Sequence, residues 1–291
     1  MSEMQRLYET VPKRLFTFGC SFTSYDWATW ANILGYELQL LHGCEFYNFG
    51  RTGAGNTYIA NVISQVDQVY KFNSNDLVIV CWTSISREDR WKDDEWITGG
   101  NIYNNSYYSK KLVNEIADQT HFLMRDLSCI KLIDSLLSSK TQYHLLSMCH
   151  FDACFSFFGE SNDTKLRLMY DDIVSRISTD FYNLIWNGDL NCKYNRDRKE
   201  LHKHYNEGHP TVEEHYEYLN KLFDYKFCDS TTLAVLNTHR QFKKLILEFY
   251  SDIKISTHPA DFPTKKREDF YRECEKLMIC NPIVPSPQLF V

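Results

Sequence analysis

Two residues in this chain have the chemistry of a nucleophile and its base. Ser21 lies in Phe18-Gly-Cys-Ser-Phe-Thr23, and His209 lies in Glu207-Gly-His-Pro210. A serine hydroxyl attacks an acyl carbonyl usefully only when an imidazole within about 3 Å takes its proton. The tetrahedral intermediate then needs N–H donors aimed at its negative oxygen. Turn amides beside Ser21 are the raw material for such donors. So is the amide of Gly53, in Asn48-Phe-Gly-Arg-Thr-Gly53, because glycine lets a backbone come close to a reacting atom. The histidine needs a carboxylate to orient it, and Glu207 is the nearest candidate.

Those residues need a scaffold that brings them to one rim. Residues 15–18 form a short apolar run closed by Gly19, which reads as a buried strand. Ser21 then falls on the turn before a helix that starts near Thr29. In an open α/β sheet, ligands bind at the carboxyl ends of the strands, and this turn lifts the hydroxyl toward that edge. Residues 45–49 predict a second strand, leading through a glycine loop at 50–57 into a helix at 58–69. Residues 76–82 are apolar after the first position and predict a central parallel strand, and 142–148 predict a fourth. Helices are predicted at 116–138 and 162–177, whereas 181–186 is ambiguous. Another opens at Thr211, where Thr211 and Glu214 make a capping box. Pro210 holds the residue before it extended, which fixes His209 at a stiff corner. Residues 90–118, rich in Trp, Tyr, Asn and Gly, read as a long loop or lid.

Other groups near that edge have competing roles. Trp82, Thr83 and Arg87 suit a polar or anionic substrate, while Arg87 serves equally as a surface ion-pair partner of Glu88 or Asp89. The run from Gly50 to Thr57 has the spacing of a phosphate-binding loop. Asn56 stands where the lysine belongs, however, so the β/γ-phosphates lose their cationic contact. Asn56 is alternatively a side-chain donor to the oxyanion. The plain alternatives are Ser21 in an ordinary strand–helix turn and His209 in a surface turn. His215, inside the last helix, is structural or substrate-facing. His258-Pro259 repeats the His-Pro pair without a carboxylate just upstream.

With 291 residues, 43% of them hydrophobic, the chain can bury a sizeable core, which excludes global disorder. A net charge of −6 with dispersed Lys and Arg argues against a nucleic-acid partner. The 10 cysteines form no C-x-x-C pair and no metal-like spacing. They read as small buried hydrophobes in a reducing compartment. Residues 1–13 lack an apolar signal core, and no run approaches about 18 apolar residues. The expectation is a soluble cytoplasmic protein without a membrane partner, metal or organic cofactor. The chain divides into an α/β domain at 1–225 and a helical C-terminal extension at 226–291. The extension has helices at 230–253 and 268–278 and an extended proline-bearing tail at 282–291. Packing on the domain, forming a homo-oligomer interface and binding a partner are all open to it.

Taken in order, the three stretches around Ser21, Gly53 and His209 resemble the SGNH hydrolases, also called the GDSL esterase family. Phe18-Gly-Cys-Ser-Phe-Thr23 is similar to the first family block, with Ser21 matching the nucleophile and its amide an oxyanion donor. Asn48-Phe-Gly-Arg-Thr-Gly53 is similar to the second, with Gly53 matching the next donor, and Glu207-Gly-His-Pro210 to the last, with His209 matching the base. The likeness spans residues 14–225. It implies a three-layer α/β/α sandwich of flavodoxin-like type, with a mostly parallel five-stranded sheet. It also implies a cofactor-free ester hydrolase working through an acyl-enzyme on sugar or lipid esters. Trp82, Arg87 and the aromatic loop lean toward a glycan.

Two positions depart from the family pattern. The asparagine expected after the third strand is missing from Trp82-Thr-Ser-Ile-Ser86, leaving Thr83, Ser84 or Asn56 as substitutes. The aspartate expected three residues before the histidine is Asn206, with Glu207 one residue closer. A Ser21–His209 dyad, or a triad closed by Glu207, is therefore expected. The same departures fit a non-catalytic carbohydrate-binding or assembly protein, and an acyltransferase would use the same site.

Overall fold

The computed structural model describes residues 7–103, 107–149, 151, 160–186, 209–250 and 264–283. In chain order the elements are β1 (Arg14–Gly19), α1 (Trp30–His42), β2 (Glu45–Asn48), α2 (Asn56–Tyr70), β3 (Asp76–Trp82), β4 (Arg87–Lys92) and β5 (Glu95–Asn101). They continue with α3 (Lys110–Ile116), α4 (Gln119–Ser138), β6 (Gln142–Ser147), α5 (Glu160–Val174), α6 (Phe181–Trp186), α7 (Val212–Phe223), α8 (Asp229–Tyr250) and α9 (Thr264–Glu275).

The central sheet is wholly parallel, in the order β2-β1-β3-β6. Every residue of β3 is buried, as an uninterrupted apolar run between helical layers demands. α1 packs with α7 and α8, and α2 with α4, giving the three-layer α/β/α architecture. The crossover after β1 leads to β2 on one side, and the chain after β3 leads to β6 on the other. Such a divergence opens a crevice at the carboxyl ends of β1 and β3.

Among the described residues the sheet has four strands rather than the five expected. There, β4 and β5 pair only with each other, as a separate antiparallel hairpin. Arg87, Glu88, Asp89, Arg90 and Lys92 on β4 could not enter a buried parallel layer without stranding their charges. The expected loop at 90–118 is thus largely this hairpin plus α3. Its two-residue turn, Asp93-Asp94, has both residues left-handed, with φ of 53° and 62°, as a tight hairpin turn requires. The ambiguous stretch at 181–186 is the helix α6.

The chain beyond α7 packs back onto the domain at α1. Glu37 of α1 is fully buried. Its carboxylate accepts from the Cys228 amide at 3.0 Å, the Cys228 thiol at 3.1 Å and the Tyr225 hydroxyl at 3.3 Å. Further on, the Asn32 amide donates to the Cys280 carbonyl at 2.8 Å, and the Ile283 amide donates to Phe46 of the edge strand β2 at 2.8 Å. Glu37→Ala is expected to lower the unfolding free energy by about 3 kcal/mol, the cost of stranding these donors. The drop is read as a lower urea midpoint, and Glu37→Gln, which keeps one acceptor, should lose less.

Among the described residues all eight cysteines are free, and five of them are buried. Burial pushes the Cys81 thiol well above its ordinary pKa. No described helix is long and apolar enough to cross a membrane. Residues 193–204, His258-Pro259 and the tail beyond residue 283 lie outside the described residues.

Candidate active site

The nucleophile candidate sits on a tight turn at the end of β1. The Cys20 carbonyl accepts from the amides of Thr23 at 2.8 Å and Ser24 at 3.1 Å, which leaves Ser21 on the crest. Gly19 makes this possible, because a Cβ there would stand 2.1 Å from Thr23 Oγ1 and 2.9 Å from the Cys81 carbonyl. The Thr29 hydroxyl ties the turn to the start of α1 by donating to the Thr23 carbonyl at 2.7 Å. Asn48 bolts the second motif to the first. Its side-chain amide donates to the Thr23 carbonyl at 2.9 Å, and its oxygen accepts from the Gly50 amide at 2.9 Å. The Arg51 amide adds a bond to the Gly19 carbonyl at 3.0 Å.

His209 comes to the same rim from 188 residues away, with Nε2 at 2.8 Å from Ser21 Oγ. In the tautomer with Nε2 unprotonated, the hydroxyl donates to the ring as a base requires. The approach is fixed locally. The buried Pro210 offers its carbonyl to the Trp27 indole at 2.8 Å. The capping box of α7 closes behind it, Thr211 N–H to Glu214 Oε2 at 2.7 Å and Glu214 N–H to Thr211 Oγ1 at 3.3 Å. Glu214 also accepts from the Trp186 indole at 3.0 Å. Around the imidazole stand Tyr25, stacked at 3.8 Å between centroids, Phe22 at 6.0 Å and Trp27 edge-on at 6.4 Å. Sequence reasoning missed Tyr25 and Trp27, and the available signal was the density of rings at 22, 25 and 27 beside Ser21. Glu207 and Asn206 lie outside the described residues.

The glycine loop is clamped by the hairpin. Gly53 has φ +79°, and a Cβ there would stand 2.2 Å from the Thr98 carbonyl of β5. Its own carbonyl accepts from the Gly100 amide at 2.9 Å, Thr98 Oγ1 donates to the Thr52 carbonyl at 3.1 Å, and Arg51 reaches the Trp96 carbonyl at 2.9 Å. The amides of Ser21 and Gly53 donate to no acceptor among the described residues.

Several expected contacts take other roles. Asn56 is fully buried. Its amide donates to the Thr83 carbonyl at 3.0 Å and to Asp126 at 2.8 Å, while its oxygen accepts from the Thr83 amide at 2.9 Å. Both donor hydrogens are spent, which removes Asn56 as an oxyanion donor. Trp82 and Thr83 have no exposed surface, so neither reaches a substrate. The Trp82 carbonyl is covered by the Met148 amide, and Thr83 Oγ1 faces the Met148 sulfur. Half-buried Arg87 donates to the Ala54 carbonyl at 2.9 Å and braces the glycine loop instead of pairing with Glu88 or Asp89. Glu88 pairs with Arg90 and Arg125. His215 is buried against the rings of Phe22 and Phe181, a structural place.

Asp89 settles the phosphate-loop alternative. Its carboxylate accepts from the amides of Gly55 at 2.8 Å and Tyr58 at 2.9 Å. It fills the N-terminus of α2, where a phosphate would bind. Burial pushes its pKa up, and the two amides oppose that shift. Asp126, bonded to Arg125 and Asn56, is pushed by burial up to about 7 from 3.8, with Arg125 pulling the other way. The folded value lies above the unfolded one. The stability this carboxyl contributes is therefore full below pH about 4 and lost as the pH rises through about 7. Asp126→Asn should gain on the parent between about pH 5 and pH 8, by up to about 1.4 kcal/mol per pH unit inside that window. Paired urea midpoints at the two pH values check this.

Among the described residues, no group of three or more His, Cys, Asp or Glu side chains is arranged to hold a metal. No family model matches the sequence, and no curated protein matches it either. Among solved structures the chain is similar to a member of the lipolytic protein G-D-S-L family from Veillonella parvula, at 13% identity. That match covers 71% of this chain and 96% of the other, with a TM-score of 0.38. A likeness that distant carries no argument about chemistry.

Proposed function

We propose that this chain is a serine esterase or acyl hydrolase of SGNH type, working through an acyl-enzyme. The observation that carries the reading is the 2.8 Å contact between Ser21 Oγ and His209 Nε2. Ser21 Oγ attacks the ester carbonyl while Nε2 takes its proton, and the resulting imidazolium returns that proton to the leaving alcohol. Water, deprotonated by the same nitrogen, then releases the acid. The amides of Ser21 and Gly53 hold the oxyanion. With the family asparagine missing and Asn56 spent, a third donor is lacking, which slows such a site by about 3 kcal/mol of barrier without abolishing it. Exposed rings of Trp91, Tyr103 and Tyr107 on and just beyond the hairpin favour an acylated glycan as substrate. Transfer of the acyl group to another acceptor would use the same steps.

A non-catalytic carbohydrate-binding protein on the same fold is the second reading, favoured by the spent Asn56 amide. Incubation with a fluorophosphonate followed by intact mass separates the two. Ser21 Oγ bonds to phosphorus, fluoride leaves, and His209 accepts the proton. The esterase reading expects a stoichiometric adduct that Ser21→Ala lacks. Glycan binding with no adduct on the parent protein selects the binding reading.

A further inference from the structure

We propose that Tyr25 is a positioning residue for His209 and that the C-terminal helix α9 supports it through Tyr271. The proposal rests on the reading of His209 as the base for Ser21. A ring laid flat against the imidazole limits its tilt about the side-chain torsions, and a small tilt takes Nε2 off the hydroxyl. The Tyr25 ring supplies such a face. It lies face to face with the imidazole, 3.8 Å between centroids and 22° from parallel. Tyr25 is itself braced edge-on by Trp27 at 4.5 Å and by Tyr271 at 6.3 Å. Trp27 in turn holds the Pro210 carbonyl and packs on Phe242 of α8 at 4.8 Å. Two short aromatic relays thus run from the C-terminal helices toward the base, one reaching its ring and one the carbonyl of the neighbouring Pro210.

The stack also has an electrostatic sense. The face of a phenol ring is negative and attracts a cation laid over it. Taking the Ser21 proton puts positive charge on the His209 ring, so this attraction grows toward the transition state. An interaction made mainly there changes kcat and leaves KM nearly alone.

The test uses the full chain with Tyr25→Leu, Tyr25→Phe and Tyr271→Leu. Tyr25→Leu is expected to slow both phosphonylation of Ser21 and kcat on p-nitrophenyl acetate by about 10- to 100-fold, the scale of a misplaced catalytic group. KM should stay within about twofold. Tyr25→Phe, which keeps the stacked face, should restore most of the rate, and Tyr271→Leu should fall between. Independently of any substrate, the ring protons of His209 should show an upfield ring-current shift in the parent and in Tyr25→Phe that collapses in Tyr25→Leu. Parent-like rates in Tyr25→Leu, or an unchanged proton shift, would overturn the proposal. If the parent is never phosphonylated but the shift still collapses, the esterase reading falls and takes the positioning role with it, leaving only the Tyr25–His209 stack. Should Tyr25→Leu fail to fold, Tyr25→Met, which fills the space without a ring face, carries the same two readouts.

Discussion

Ser21→Ala should remain folded yet hydrolyse p-nitrophenyl acetate about 10^4-fold more slowly or worse, the scale seen when a serine nucleophile is removed. The contrast between a large kinetic loss and a small structural one follows from the site. The one hydrogen bond of the Ser21 hydroxyl among the described residues goes to His209. Removing it costs the fold about 1 kcal/mol, whereas removing the attacking oxygen ends acyl transfer altogether. Residual turnover then comes from the oxyanion donors and solvent water. Steady-state rates beside a thermal melt decide it, and a variant with near-parental turnover would place the chemistry elsewhere.

Gly53→Ala should damage fold and rate together. A residue with a Cβ at φ +79° carries about 1–3 kcal/mol of backbone strain. The Cβ would also stand 2.2 Å from the Thr98 carbonyl, an overlap relieved only by moving the hairpin, at about 1–3 kcal/mol more. Because the glycine loop and the hairpin are joined by five described hydrogen bonds, through Arg51, Thr98, Arg87, Gly100 and Asp89, the shift displaces the Gly53 amide. Loss of one oxyanion donor lowers kcat by about 10^2- to 10^3-fold. A melt and a kcat measurement on one sample check both parts, and a stable variant with unchanged kcat would remove Gly53 from the site.

The sequence made β1 and β3 plain because an unbroken apolar run bounded by glycine or polar residues has few other fates. Ser21 and His209 stood out as well, each on a stiff turn whose flanking chemistry is local: Gly19 on one side, Pro210 and the Thr211–Glu214 box on the other. The hairpin was hidden. Its alternation joins charge to aromatic ring rather than polar to apolar, and its partners, α2 and the glycine loop, are distant in the chain. Trp82 and Thr83 looked like rim residues because β3 ends there, but β6 runs alongside and the Met148 amide covers the Trp82 carbonyl. Asn56 looked like a free donor because nothing local announces Asp126, which lies 70 residues on. Tyr25 went unremarked, since a ring stacked on an imidazole and a ring in a core have the same sequence signature.

Turnover through an acyl-enzyme requires that Ser21 become acylated. Quenching the parent protein in acid during turnover of p-nitrophenyl acetate, then mapping the modified peptide by mass, shows whether it does. An acetyl group on Ser21 that accumulates on mixing and decays as substrate runs out is the predicted result. An unmodified Ser21 during active turnover, or an acetyl group confined to the neighbouring Cys20, would contradict it.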